Sequence, residues 1–133
     1  MGLVQRKRQA KKGKTQEQER EERIEMEVVV DCYGAAEQSM GWYYYLENKM
    51  KFPFSATCIK ERDISPLKRG ECVGVVGMPP EDVCEQEMYV AILWNERRFA
   101  VPLDQLQCES GGRKTKQAVE DWRYWVEQGY RFG

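Results

Sequence analysis

Residues 70–106 read GECVGVVGMPPEDVCEQEMYVAILWNERRFAVPLDQL, and their pattern decides the fold. Three short runs in this stretch carry strand-type residues. Residues 72–78 are rich in valine. In 88–94, Met88, Val90, Ile92 and Trp94 alternate with Tyr89, Ala91 and Leu93. Phe99, Val101 and Leu103 alternate with Arg98, Ala100 and Pro102. β-Branched and aromatic residues at period 2 suit a pleated, half-buried surface. The polar residues of 94–99 (WNERRF) form a turn short enough to make the last two runs a hairpin. Between the first two runs lies 79–87 (PPEDVCEQE), a loop bearing four carboxylates: Glu81, Asp82, Glu85 and Glu87. Loops held by a strand scaffold are where function concentrates.

Working outward, 54–60 (FSATCIK) alternates as a fourth strand. Residues 61–69 connect it to the valine run, with Ile64, Pro66 and Leu67 expected to plug one end of the sheet. Pro102 suits the place where a strand leaves its ladder, and 104–106 suit a single helical turn. Four or five short strands, mostly sequential neighbours, predict an α+β fold: a small curled antiparallel sheet or SH3-like barrel packed with an N-terminal and a C-terminal helix.

Residues 35–50 (AAEQSMGWYYYLENKM) form the first of these helices, with Ala35, Ser39, Trp42, Leu46 and Met50 on one stripe. Asp31 is a candidate cap. Gly41 in mid-helix costs about 1 kcal/mol against alanine, which points to close approach of another backbone or a ligand. The run Trp42-Tyr43-Tyr44-Tyr45 spans most of the helix circumference, so at least one tyrosine faces outward. Phe52-Pro53 ends the helix. Thr115 is the expected cap of the last helix, 116–128. Its apolar face is Ala118, Val119, Trp122, Trp125 and Val126, its wet face Gln117, Glu120, Asp121, Tyr124 and Gln128, and Gly129 its stop.

The 133 residues are 41% hydrophobic, enough for one domain and a modest core. A net charge of −1 hides an asymmetry: residues 1–24 hold eight Lys/Arg against four Glu, and the remainder is acidic. Residues 1–23 read as a basic, flexible tail unable to bury enough surface to order itself, although TQEQEREERI (15–24) has helix formers and i,i+4 charge pairs. Residues 24–133 read as a single domain. IEMEVVV (24–30) suits either a short strand or the end of a helix. No run is long and apolar enough to span a membrane. Five irregularly spaced cysteines give neither a disulfide framework nor a metal knuckle. With no signal-peptide pattern, a reducing cytoplasm is the expected setting.

Histidine is absent, which excludes catalytic constellations built on it. G-V-V-G lacks the spacing of a phosphate loop, Cys32, Cys58 and Cys72 read as small buried hydrophobes, and no enzyme is expected. What remains is oxygen chemistry. Glu81, Asp82, Glu85 and Glu87 are hard ligands close enough in sequence to share a cation, and Ca²⁺ accepts six to eight oxygens in flexible geometry. Glu47 and Asn48, at the end of the first helix, add an acid and an amide oxygen. The EF-hand pattern D-x-[DN]-x-[DN]-G is missing. A solvated loop is the bland alternative.

Several blocks then resemble one family. They are Met40-Gly41-Trp42-Tyr43-Tyr44-Tyr45-Leu46-Glu47; Phe52-Pro53-Phe54-x-Ala56-x-Cys58; Ile64-Ser65-Pro66-Leu67; Val76-Gly77-Met78-x-Pro80-Glu81-Asp82; Cys84-x-x-Glu87-Met88; Ala100-Val101-Pro102-Leu103-x-Gln105-Leu106; and Ala118-x-Glu120-Asp121-Trp122-x-Tyr124-Trp125 followed by Gly129-Tyr130. Together, over about 28–132, these resemble the CcbP-like family of calcium-binding proteins. The resemblance implies a compact α/β domain binding Ca²⁺ through acidic surface residues, in a cytosolic signalling or buffering role. It carries over to Glu81, Asp82, Glu85, Glu87 and Glu47. Asn48 stands where the family leads one to expect a second acid, and Gly34-Ala35-Ala36-Glu37 where it leads one to expect more carboxylates. Affinity rises with ligand charge, so weak binding or a lost site is implied.

Two other readings compete. An SH3-like interaction module without metal would take a protein partner through exposed tyrosines at 43–45 and Tyr89. A nucleic-acid adaptor would use the basic residues 6–14, though four net charges give only weak, salt-sensitive phosphate binding.

Overall fold

A computed structural model describes residues 13–132. Helix α1 (Gln16–Arg23) continues through a π-helical turn (Ile24–Val28); α2 spans Ala35–Lys49 and α3 Gly112–Glu127. Five strands, β1 (Phe54–Cys58), β2 (Cys72–Gly77), β3 (Tyr89–Trp94), β4 (Arg97–Pro102) and β5 (Leu106–Cys108), form one antiparallel sheet in the order β4-β3-β2-β1-β5. The fold is α+β. The sheet is open, with β4 and β5 at its rims, so the SH3-like barrel is not realised. β5 is only three residues long, and among the described residues no further strand lies beside it to close a barrel.

The strands of the deciding stretch form where alternation puts them. β3 and β4 pair from Trp94↔Arg97 to Tyr89↔Pro102 around a two-residue turn. Asn95 and Glu96 there have φ of 49° and 65°, the left-handed pair that matches strand twist. A bulge between Val75 and Gly77 re-aims the end of β2, next to the acidic loop.

The core joins one face of the sheet (Phe54, Ala56, Val75, Val90, Ile92, Val101) to Trp42 and Leu46 of α2 and Val119, Trp122 and Trp125 of α3. Trp42 packs edge-on against Trp122, with centroids 5.0 Å apart. Gly41 lies under the π-helical turn, where a Cβ would collide with the Val28 carbonyl oxygen; close backbone approach is the reason for this glycine. The 24–28 segment is thus helical rather than a strand.

Several local expectations are corrected. Gly34, not Asp31, is the N-cap of α2; Asp31 has φ of 57°. α3 begins three residues before Thr115, behind Gly111 at φ 106°. Thr115 is buried within the helix, its hydroxyl accepting from Lys51 N–H at 2.9 Å. Asp121 is fully buried rather than wet. Of the three residues expected to plug the sheet, Leu67 is buried whereas Ile64 and Pro66 are exposed. Cys72 is exposed and Cys32 half-buried; of the three expected buried thiols, only Cys58 is.

Residues 13–23, inside the expected tail, are described. Thr15 caps α1 through a reciprocal capping box with Gln18, and Lys14 pairs with Glu22. Arg20 and Arg23 anchor the helix to Asp121 across the molecule. The rest of the basic arm, 6–12, lies outside the described residues.

Candidate metal site

The acidic loop is built between two anchors. At its start the Tyr43 hydroxyl donates to the Pro79 carbonyl, and Glu81–Cys84 coils into a 3-10 turn. Its interior is pinned by Cys84, which is buried and accepts from Tyr89 N–H at 3.3 Å. Burial pushes the Cys84 thiol up to about 11. At its end Arg62 grips Glu87 with both guanidinium arms, at 2.6 and 3.0 Å.

Glu81, Asp82 and Glu85 are exposed and edge one cavity of about 540 Å³, whose far wall is Ala35, Ala36, Ser39 and Met40 of α2. Glu81 accepts a hydrogen bond from Tyr44 at 2.8 Å; that bond, above all, raises the Tyr44 phenol. The other candidates do not join them. Glu87 faces a second cavity of about 600 Å³, lined also by Arg62, Asp104, Trp122 and Trp125. Glu47 is exposed on the last turn of α2, close enough to Tyr43 to help raise its phenol after burial, the larger cause. Asn48 borders a third cavity beside Lys49, Lys51 and Arg113, surroundings that repel a cation.

Three carboxylates on one rim fit a hard divalent cation in chemistry and charge. They are not posed around a single point: among the described residues no group of three or more His, Cys, Asp or Glu side chains is arranged to hold an ion. All three are exposed, and α2 offers no acid opposite them, because Ala35 and Ala36 occupy that wall.

Sequence reading missed the basic side of this region. Arg62 also donates to Asp104 at 2.9 Å, and Lys60 pairs with Asp104 at 3.0 Å. Asp104 is almost fully buried. The hydrogen bond to Glu87 is the main cause raising the Arg62 guanidinium further. No local signal joins residues 25 and 42 positions apart. The tyrosines are also largely spent internally. Tyr43 and Tyr45 are buried, Tyr45 donating to Asp121 at 2.8 Å, and Tyr89 is half-buried. Tyr44 alone of the four is exposed, and its hydroxyl is engaged, so an aromatic groove across 43–45 is not formed.

Comparison with known proteins agrees with this architecture. The CcbP family model, described as calcium binding, matches residues 22–126. Two solved structures are similar at 34% identity. One is the crystal structure of Anabaena CcbP, with 90% of this chain and 97% of that chain covered at a TM-score of 0.77. The other is a calcium-binding protein in its calcium-binding form, with 86% and 94% covered at a TM-score of 0.76. No curated protein matches the chain. The chain belongs to the CcbP family of calcium-binding proteins. No helix among the described residues is long and apolar enough to cross a membrane.

Proposed function

We propose that this protein binds Ca²⁺ without an EF-hand, in the cavity edged by Glu81, Asp82 and Glu85, as a weak cytosolic buffer or signalling element. The observation that carries the reading is the shared rim of these three exposed carboxylates, in a chain of a calcium-binding family. The ion would draw the carboxylates inward and complete its shell with backbone carbonyls and water, as the long, flexible Ca–O distances permit. Mg²⁺ requires stricter octahedral placement and fits a rim of three exposed, unposed carboxylates less well. Glu47 contributes field rather than a ligand. Three acids facing an apolar wall support affinity at the weak end of the Ca²⁺ range, on the order of 10⁻⁴ M.

The test is a Ca²⁺ titration followed by amide resonances. Shifts centred on 80–86 and on 35–40 are expected, absent in Glu81→Gln/Glu85→Gln. At about 100 times Kd the ion adds about 2.7 kcal/mol of stability. An unmoved melting temperature and an unmoved loop at 10 mM Ca²⁺ sink the reading.

A further inference from the structure

Glu87 stands apart from its three neighbours for a reason visible in the geometry. Gln86 borders both cavities, the one edged by Glu81, Asp82 and Glu85 and the one containing Glu87 and Arg62. Glu87 therefore follows directly on a residue that lines the calcium cavity, yet lines only the neighbouring one, where a two-armed ion pair at 2.6 and 3.0 Å holds it. We infer that Arg62 is an internal counter-ion that withholds Glu87 from the calcium site and so sets the affinity and response of that site. The inference rests on the calcium reading above and adds its regulation.

The pair has the properties of a lock that opens. Arg62 and Glu87 are 29% and 27% exposed at the side chain, neither sealed in nor free. A fork of this kind is stronger than a single-arm pair, and partial exposure keeps it within reach of competition by a divalent ion. Arg62 is not stranded when Glu87 leaves. It keeps Asp104 at 2.9 Å, and Asp104 keeps Lys60 at 3.0 Å. The remaining cluster is thus one buried carboxylate between two cations, and only one ionic contact is exchanged for another. With Glu87 held the calcium cavity offers three carboxylates, and with Glu87 released it offers four. Ca²⁺ and Arg62 compete for one side chain, so Ca²⁺ binding and the opening of the pair are linked reciprocally.

A double-mutant cycle read by Ca²⁺ titration, with the amide spectrum as a check on folding, tests this. Glu87→Gln alone is expected to weaken Kd by no more than about two-fold, because the ion pair keeps the released form of Glu87 a minor fraction of the wild-type protein. Arg62→Gln is expected to tighten Kd about ten-fold through the added carboxylate. Arg62→Gln/Glu87→Gln is expected to return to the wild-type value. Arg62→Lys keeps a charge for Asp104 but loses the fork, and falls between; it serves if Arg62→Gln is poorly folded. A gain that persists in the Glu87→Gln background means simple removal of a nearby positive charge and overturns the lock. So does an Arg62→Gln protein that binds no more tightly, or a Glu87→Gln protein weakened about five-fold or more. If wild type binds and the cycle is flat, the lock alone fails. If neither wild type nor Arg62→Gln binds, the calcium reading fails with it.

Discussion

Asp121 accepts four hydrogen bonds in the interior: from Arg20 Nε at 2.8 Å, Arg23 Nε at 2.9 Å and Nη2 at 2.7 Å, and the Tyr45 hydroxyl at 2.8 Å. Burying a carboxylate this deeply is tolerable only because every direction is filled by a donor. The bond to Asp121 is in turn the main cause raising the Arg23 guanidinium. Asp121→Ala leaves the half-buried Arg23 guanidinium and the buried Tyr45 phenol without this acceptor, and leaves Arg20 only Glu120 at 3.2 Å. The expected loss is about 3–5 kcal/mol, read as a lower urea midpoint with an unchanged slope. Sequence alone puts Asp121 on the wet face, because helical periodicity places it next to the core stripe without saying what covers it. The donors come from residues 98 and 101 positions earlier and from a tyrosine 76 positions earlier. Gly41 was legible for the opposite reason, since a glycine inside a strong helix pattern announces a close approach within its own neighbourhood.

At the level of elements, the strands were legible wherever strict alternation met a turn of the right chemistry, as in the Asn95-Glu96 hairpin. Closure of the sheet was not, because five short runs suit a barrel and an open sheet equally. The acidic loop was legible as a cluster and not as a constellation. Sequence gives the separation of Glu87 from Glu85, whereas the Arg62 that turns it away comes from the loop before β2. α1 was legible as helix-forming, but its docking depends on a carboxylate near the other end of the chain. Deletion of 1–23 removes both arginines from Asp121 and is expected to lower the melting temperature by at least about 10 °C. Two thermal melts decide between a tail and an integral helix.

Across the whole molecule, the thiols report the packing. Cys72 is exposed on the outer face of the sheet, while Cys58, Cys84 and Cys108 are buried. Burial, the largest cause in each, raises all three buried thiols. Aromatic disulfide reagents at pH 8 are therefore expected to label Cys72 rapidly and the buried three only on unfolding. The same burial sets a pH dependence. Cys84 titrates at about 11 in the fold against 9.0 as the ordinary value, so the folded state holds its proton more tightly than the unfolded chain. Its contribution is complete below pH 9 and is lost as pH rises through 9 to 11. Melts between pH 8 and 10.5 are expected to fall, and less steeply in Cys84→Val. Tyr43 and Tyr45, raised chiefly by burial, act in the same direction.

The open sheet has a further consequence, which concerns behaviour in a crowded solution. Two unclosed borders are an invitation to strand addition by neighbouring chains, the first step towards fibrils. Here one border is guarded by Arg97 and Arg98 at one end and by Pro102, which has no N–H to offer, at the other. The opposite border is only three residues long, too brief a template for a lasting intermolecular ladder. Both borders of the incomplete sheet are thus blunted against strand addition.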